Sequence, residues 1–101
     1  KLAFQLAQHD HWELAVMNLA DGSVAQITQP DPLNFRRVNN VAPTWSPDGK
    51  QILFLSDRHG KWEFYLVNAD GTSIRQVFKN VTDLLTIQYY FSNERVIDWR
   101  K

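Results

Sequence analysis

The stretch Pro43-Thr44-Trp45-Ser46-Pro47-Asp48-Gly49-Lys50-Gln51-Ile52-Leu53-Phe54-Leu55-Ser56-Asp57-Arg58-His59-Gly60, continued by Trp62-Glu63-Phe64-Tyr65-Leu66-Val67-Asn68-Ala69-Asp70-Gly71, decides the fold. Trp45 to Lys50 spells out a turn. Pro47 presets φ, Asp48 can bond its own backbone, and Gly49 takes the positive φ. The apolar run Ile52 to Leu55 is short and rich in strand-forming side chains, and it stops at a second turn, Ser56 to Gly60. Trp62 to Val67 gives another strand, closed by Asn68-Ala69-Asp70-Gly71. Strand, turn, strand, turn in this order is a β-meander.

The same words recur earlier in the chain. Leu2-Ala3-Phe4 stands fifty positions before Ile52-Leu53-Phe54. His9 and His59, Trp12 and Trp62, Glu13 and Glu63, and Asn18 and Asn68 keep that offset. Asp21-Gly22 answers Asp70-Gly71 after a one-residue slip, and Gln26-Ile27 answers Gln76-Val77 with the slip undone. A repeat of this length is somewhat longer than the roughly 40–45 residues of a propeller blade. The excess fits a long connection, Gln29 to Asn40, holding Pro30, Pro32 and the pair Arg36-Arg37. A third, degenerate copy begins at Tyr90-Phe91-Ser92-Asn93, where the Pro-Asp-Gly turn is missing.

The Trp45-Ser46-Pro47-Asp48-Gly49-Lys50 … Phe54-Leu55-Ser56-Asp57-Arg58-His59-Gly60 … Tyr65-Leu66-Val67-Asn68-Ala69-Asp70-Gly71 pattern resembles the WD40-like repeat of TolB-like proteins, the Tol-system periplasmic β-propellers. The match runs from Ala42 to Phe78. The resemblance implies an all-β chain of antiparallel four-stranded β-propeller blades, about two blades' worth, hence a partial propeller. With strands lettered A (inner) to D (outer), B, C and D are Leu2–Leu6, Glu13–Leu19 and Val24–Thr28. A complete blade follows as Val41–Trp45, Gln51–Ser56, Trp62–Asn68 and Ile74–Phe78. Strands A and B of a further blade fall at Thr86–Phe91 and Arg95–Trp99. The organisation expected is therefore a blade fragment over 1–28, a connecting loop over 29–40, a complete blade over 41–80, and the start of another over 81–101.

Closed propellers have typically 4–8 blades. Two arrangements meet this. The chain is a segment of a longer propeller, which the sequence favours, or several copies close a ring through their open blade edges, three copies giving about six blades. Such edges make a homo-oligomer a standing expectation.

Composition narrows the function. The 101 residues carry 11 basic and 11 acidic side chains, so no electrostatic footprint for nucleic acid exists. No apolar run approaches the roughly 18 residues of a membrane span, and no charged-then-apolar leader opens the chain. Cysteine is absent, which excludes a disulfide framework and thiolate metal sites. A periplasmic or extracellular location is implied by the resemblance alone.

The chemistry-bearing residues read mostly as structure. His9, His11 and His59 fall in B–C turns and are expected exposed. Equivalent turns of adjacent blades stand too far apart to share a small cation, leaving a His9–His11 pair for adventitious zinc or nickel as the alternative. Glu13 and Glu63 are separated by the same geometry, so a paired-carboxylate site is not expected. The Asp-Gly words suit tight turns between antiparallel strands better than calcium loops. No Gly-x-Ser-x-Gly elbow or glycine-rich phosphate loop is present. No catalytic residue, metal site or cofactor is expected. Trp45, Ser46, Pro47, Asp48, Gly49, Asp70 and Gly71 are motif residues, Trp45 packing between blades, and Trp12 and Trp62 begin strand C.

What remains is surface. B–C turns and D–A connections share one face of a propeller, and here they are varied, polar and aromatic. The opposite face is repeated Asp-Gly turns. A non-enzymatic protein-interaction scaffold is the function expected, with a protein or peptide partner on the loop face. Phe35, Arg36 and Arg37 lead as anchors, with His9, His11, Arg58 and His59 around them, because arginine and aromatic side chains dominate interface hot spots. The alternative is a propeller segment of a prolyl-oligopeptidase-type peptidase or sugar lyase, or a sensor module of a membrane receptor.

Overall fold

A computed structural model describes residues 1–30 and 38–79. They form seven strands: β1 (Leu2–Ala7), β2 (Trp12–Met17), β3 (Val24–Gln26), β4 (Asn40–Trp45), β5 (Gln51–Ser56), β6 (Glu63–Asn68) and β7 (Arg75–Gln76). All pairs are antiparallel between chain neighbours, giving a three-stranded sheet β1-β2-β3 and a four-stranded sheet β4-β5-β6-β7. Strand β5 begins and ends where the sequence places it. The final strands expected at Thr86–Phe91 and Arg95–Trp99 lie outside the described residues, as do Phe35, Arg36 and Arg37. Among the described residues no helix is long and apolar enough to cross a membrane.

The outer strands are shorter than expected, and hydrogen bonds show why. After Gln26 the amides of Ile27 and Thr28 both turn to the carbonyl of Leu14, at 2.7 and 3.5 Å. Two residues thus oppose one, the regular ladder ends, and β3 stops short of Thr28. Strand β7 shrinks to two residues between Ser73 (φ 59) and Phe78 (φ 56), whose backbones leave the extended region. Strand β2 ends at Met17 because Asn18 already closes the next turn on Ser23 (N–H to carbonyl, 2.8 Å).

Those turns differ from the two-residue hairpins that Asp-Gly suggests. A type I′ turn needs positive φ at both central residues. Here only the glycines have it: Gly22, Gly49 and Gly71 at 74°, 72° and 90°. Each turn is wider and is built around the aspartate. Asp21 accepts from Ser23 N–H and Oγ (2.9, 2.7 Å), and Asp70 from Thr72 N–H and Oγ1 (3.0, 2.6 Å). Asp48 accepts from Lys50 N–H and from Ser46 Oγ (3.0, 2.6 Å). The local bonds hold all three carboxylates below the ordinary aspartate range.

The two sheets share one core. Leu14, Val16 and Ile27 of the first meet Ile52, Phe54, Tyr65 and Val67 of the second, with Ala3 and Trp45 packed against them. Trp45, half-buried, packs against this shared cluster. Ile52, Phe54 and Val67 are fully enclosed, each such side chain worth about 1.5–3 kcal/mol. Alternation sends Leu55 to a second cluster with Val41 and Ala42, lined by Trp12, Trp62 and Phe64. Strand β4 is kinked by a register shift between Val41 and Thr44. There Ala42 has φ 56, and its N–H reaches across to Gln5 Oε1 of the other sheet at 3.1 Å.

Candidate functional site

This topology puts the β1–β2 turn, the β5–β6 turn and the entry to β4 at one end of both sheets. The first turn is closed by Gln8 N–H on the His11 carbonyl (2.8 Å), the second by Gly60 N–H on Asp57 (2.9 Å). Residues 7–12 and Asn39 line a shallow cleft of about 380 Å³. His9 and Asp10 are exposed on this end, and so are His59, Gly60 and Lys61.

His11 corrects the sequence reading. Its side chain is only 9% exposed, because the imidazole is drawn between two carboxylates: Nδ1 lies 2.7 Å from Asp10 Oδ1 and Nε2 2.9 Å from Glu13 Oε2. His59 does lie open, 63% exposed, yet it also touches a carboxylate, Glu63 Oε1 at 3.3 Å, and the Tyr65 hydroxyl at 2.9 Å. Among the described residues no group of three or more His, Cys, Asp or Glu side chains is arranged to hold a metal ion.

Glu13 and Glu63 are buried, at 1% and 2% exposure, which the sequence reading missed. An enclosed carboxylate is costly unless its lone pairs are met. Thr28 Oγ1 and Asn40 Nδ2 both donate to Glu13 Oε1, at 2.6 and 2.8 Å. Gln76 Nε2 donates to Glu63 Oε2 at 2.8 Å. The sequence's one hint was the repetition of a glutamate beside each strand-C tryptophan, a repetition that the exposed His9 and His59 share.

Arg58 is engaged within the fold. Its Nη2 donates to Asn40 Oδ1 and its Nε to Ser56 Oγ, both at 3.0 Å, and the guanidinium lies 4.4 Å from the Tyr65 ring centre. Burial pushes its pKa down, opposed by Tyr65, Glu13 and Asp57. Tyr65 is pushed up to about 12, first by burial and then by the Glu63 charge, with Arg58 opposing. Asn39 completes the cluster: it accepts from Trp12 N–H (3.0 Å) and donates to Asp57 from N–H and Nδ2 (2.7, 3.1 Å).

The opposite end of the sheets holds the three aspartate turns and little else that varies. Of the residues expected at the loop face, His9 and His59 are presented to solvent, while His11 and Arg58 are tied inside it.

No family model matches the chain. Among solved structures, a protein described as a TolB from Agrobacterium tumefaciens matches with TM-score 0.66 and 24% identity, over 75% of this chain and 25% of that one. TolB from Acinetobacter baumannii matches with TM-score 0.54 and 23% identity, over 73% of this chain and 17% of that one. The chain spans about a quarter or less of the length of these proteins and shares their fold, that of TolB-like propeller blades.

Proposed function

We propose that this chain works as a non-enzymatic propeller segment that docks a protein or peptide partner on the end of the sheets bearing the β1–β2 and β5–β6 turns. The observation that carries the reading is the contrast between the two ends. One repeats the same aspartate turn three times, whereas the other presents differing polar side chains over a braced base. Varied loops on a rigid scaffold are where binding specificity is normally carried. The TolB-like fold favours a periplasmic or extracellular setting and a larger propeller around this segment. Phe35, Arg36 and Arg37, in the connection leading to β4, are the proposed anchors, with His9 and His59 at the rim.

Peptide display against the immobilised chain, followed by competition with variants, tests this. Binders should lose affinity for Phe35→Ala/Arg36→Ala by about tenfold or more, the effect of hot-spot truncation. They should retain it for Leu19→Ser, at the opposite end. Equal affinity for both variants would end the proposal.

A further inference from the structure

The two repeat-equivalent glutamates are used differently. Glu63 is met by His59, Tyr65 and Gln76, all of the four-stranded sheet. Glu13 is met from three separate segments. Thr28 follows β3 and Asn40 opens β4, so the two residues flanking the connection 29–39 converge on a single oxygen, Oε1. His11, from the β1–β2 turn, occupies Oε2.

From Asn40 the chain of contacts continues. Its amide group donates to Glu13 and accepts from Arg58 of the β5–β6 turn. Beside it Asn39 joins the same elements a second time, through Trp12 N–H on one side and Asp57 on the other. A fully bonded buried polar network of this kind rigidifies what it joins, and each member depends on the others.

We propose that Glu13 is a positioning residue, a clasp that holds the β1–β2 turn, the β5–β6 turn and both ends of the connection 29–39 as one surface. Loosening either turn is therefore felt at the other, although they belong to different sheets. That this surface docks a partner rests on the reading above. The clasp itself is tested without a partner, so the two can fail separately.

Amide hydrogen exchange of the whole chain, read residue by residue in wild type, Glu13→Gln and Arg58→Lys, decides it. Gln keeps the size of Glu13 but loses its charge, and Lys cannot serve both Ser56 and Asn40 as the planar guanidinium does. In Glu13→Gln the amides of Trp12, Leu14, Asn39 and Asp57 should exchange about tenfold faster, the effect of losing a bond to a charged group. Those of Gly22 and Gly49, in two of the aspartate turns, should hold. In Arg58→Lys the change should cross back to Trp12 and Leu14, since coupling is reciprocal. Faster exchange confined to the substituted residue's own sheet would overturn the proposal. So would uniform acceleration that includes the aspartate turns, which would make Glu13 an ordinary core residue. Should Glu13→Gln fail to fold, the Arg58→Lys measurement decides alone.

Discussion

Gly71 and Gly49 occupy the same kind of turn, at φ 90° and 72°, but their surroundings differ. A Cβ built on Gly49 meets nothing within 4 Å. One built on Gly71 lies 2.9 Å from the carbonyl oxygen of Ile27, in the other sheet. The turn after β6 is thus pressed against the backbone of the neighbouring blade, and glycine is required there twice over. For Gly49→Ala only the conformation counts. An L-residue in the left-handed region costs about 1–2 kcal/mol, partly offset by about 0.5–1 kcal/mol from a less flexible unfolded chain.

For Gly71→Ala the same terms apply, and the methyl must also separate from Ile27 by about half an ångström to reach ordinary contact. Ile27 cannot yield cheaply, because it is buried and its N–H is held by Leu14. Overpacking of this kind costs about 1–3 kcal/mol, so Gly71→Ala should lose about 2–4 kcal/mol and Gly49→Ala about 1 kcal/mol or less. For a chain of this size about 1 kcal/mol moves the melting temperature by roughly 4–8 °C, so the two variants should separate clearly in a thermal melt followed by circular dichroism. If they melted within a degree or two of each other, the close approach of the two blades at this point would be refuted.

Ser46→Ala removes a buried hydroxyl that donates to Asp48 and accepts from Gln51 N–H (2.6, 3.1 Å); it should cost about 1–2 kcal/mol in urea unfolding and let the Asp48 carboxyl titrate at higher pH by NMR. Because the Asp21, Asp48 and Asp70 carboxyls are depressed in the fold, the stability they contribute is present above the unfolded aspartate range near pH 4 and is lost as pH falls through their folded values; an acid titration of the wild type should show unfolding easing over that window. Tyr65 is raised, so its contribution is present below the ordinary tyrosine range near pH 10 and is lost as pH rises towards about 12; an ultraviolet titration should show one phenol ionising late, and Tyr65→Phe should remove that step. Ala42→Val places a β-branched side chain at φ 56 in a buried kink and should destabilise by about 2–4 kcal/mol in the same urea assay, whereas Ala42→Gly should change it by less than about 1 kcal/mol.

Among the described residues the strands and their order were legible because they rest on local signals that recur. The apolar run Ile52–Leu55, the turn word Ser46-Pro47-Asp48-Gly49 and the fifty-residue offset each report on neighbours in the chain. Departures came where the deciding contact is distant. Val24–Thr28 has strand composition throughout, but Leu14 takes two amides and cuts it short. Arg58 reads as a surface cation, and only the packing of Tyr65 beneath it and Asn40 beside it turns it inward. His11 and Glu13 show the same limit most clearly. An acid at the start of a strand is an ordinary surface choice, and nothing local says that Thr28 and Asn40 will close on it.

The repeat points to the two glutamates without saying that they are buried. A glutamate follows both Trp12 and Trp62, and once enclosed each has the same requirement, donors for its oxygens. The structure meets the requirement differently in the two sheets. Glu63 finds its donors within its own blade. Glu13 reaches Asn40 of the next blade. Equivalence between repeats does not by itself mark burial, since His9 and His59 share the offset and lie exposed; the partners gathered at Glu13 and Glu63 determine whether the position holds one blade or joins two.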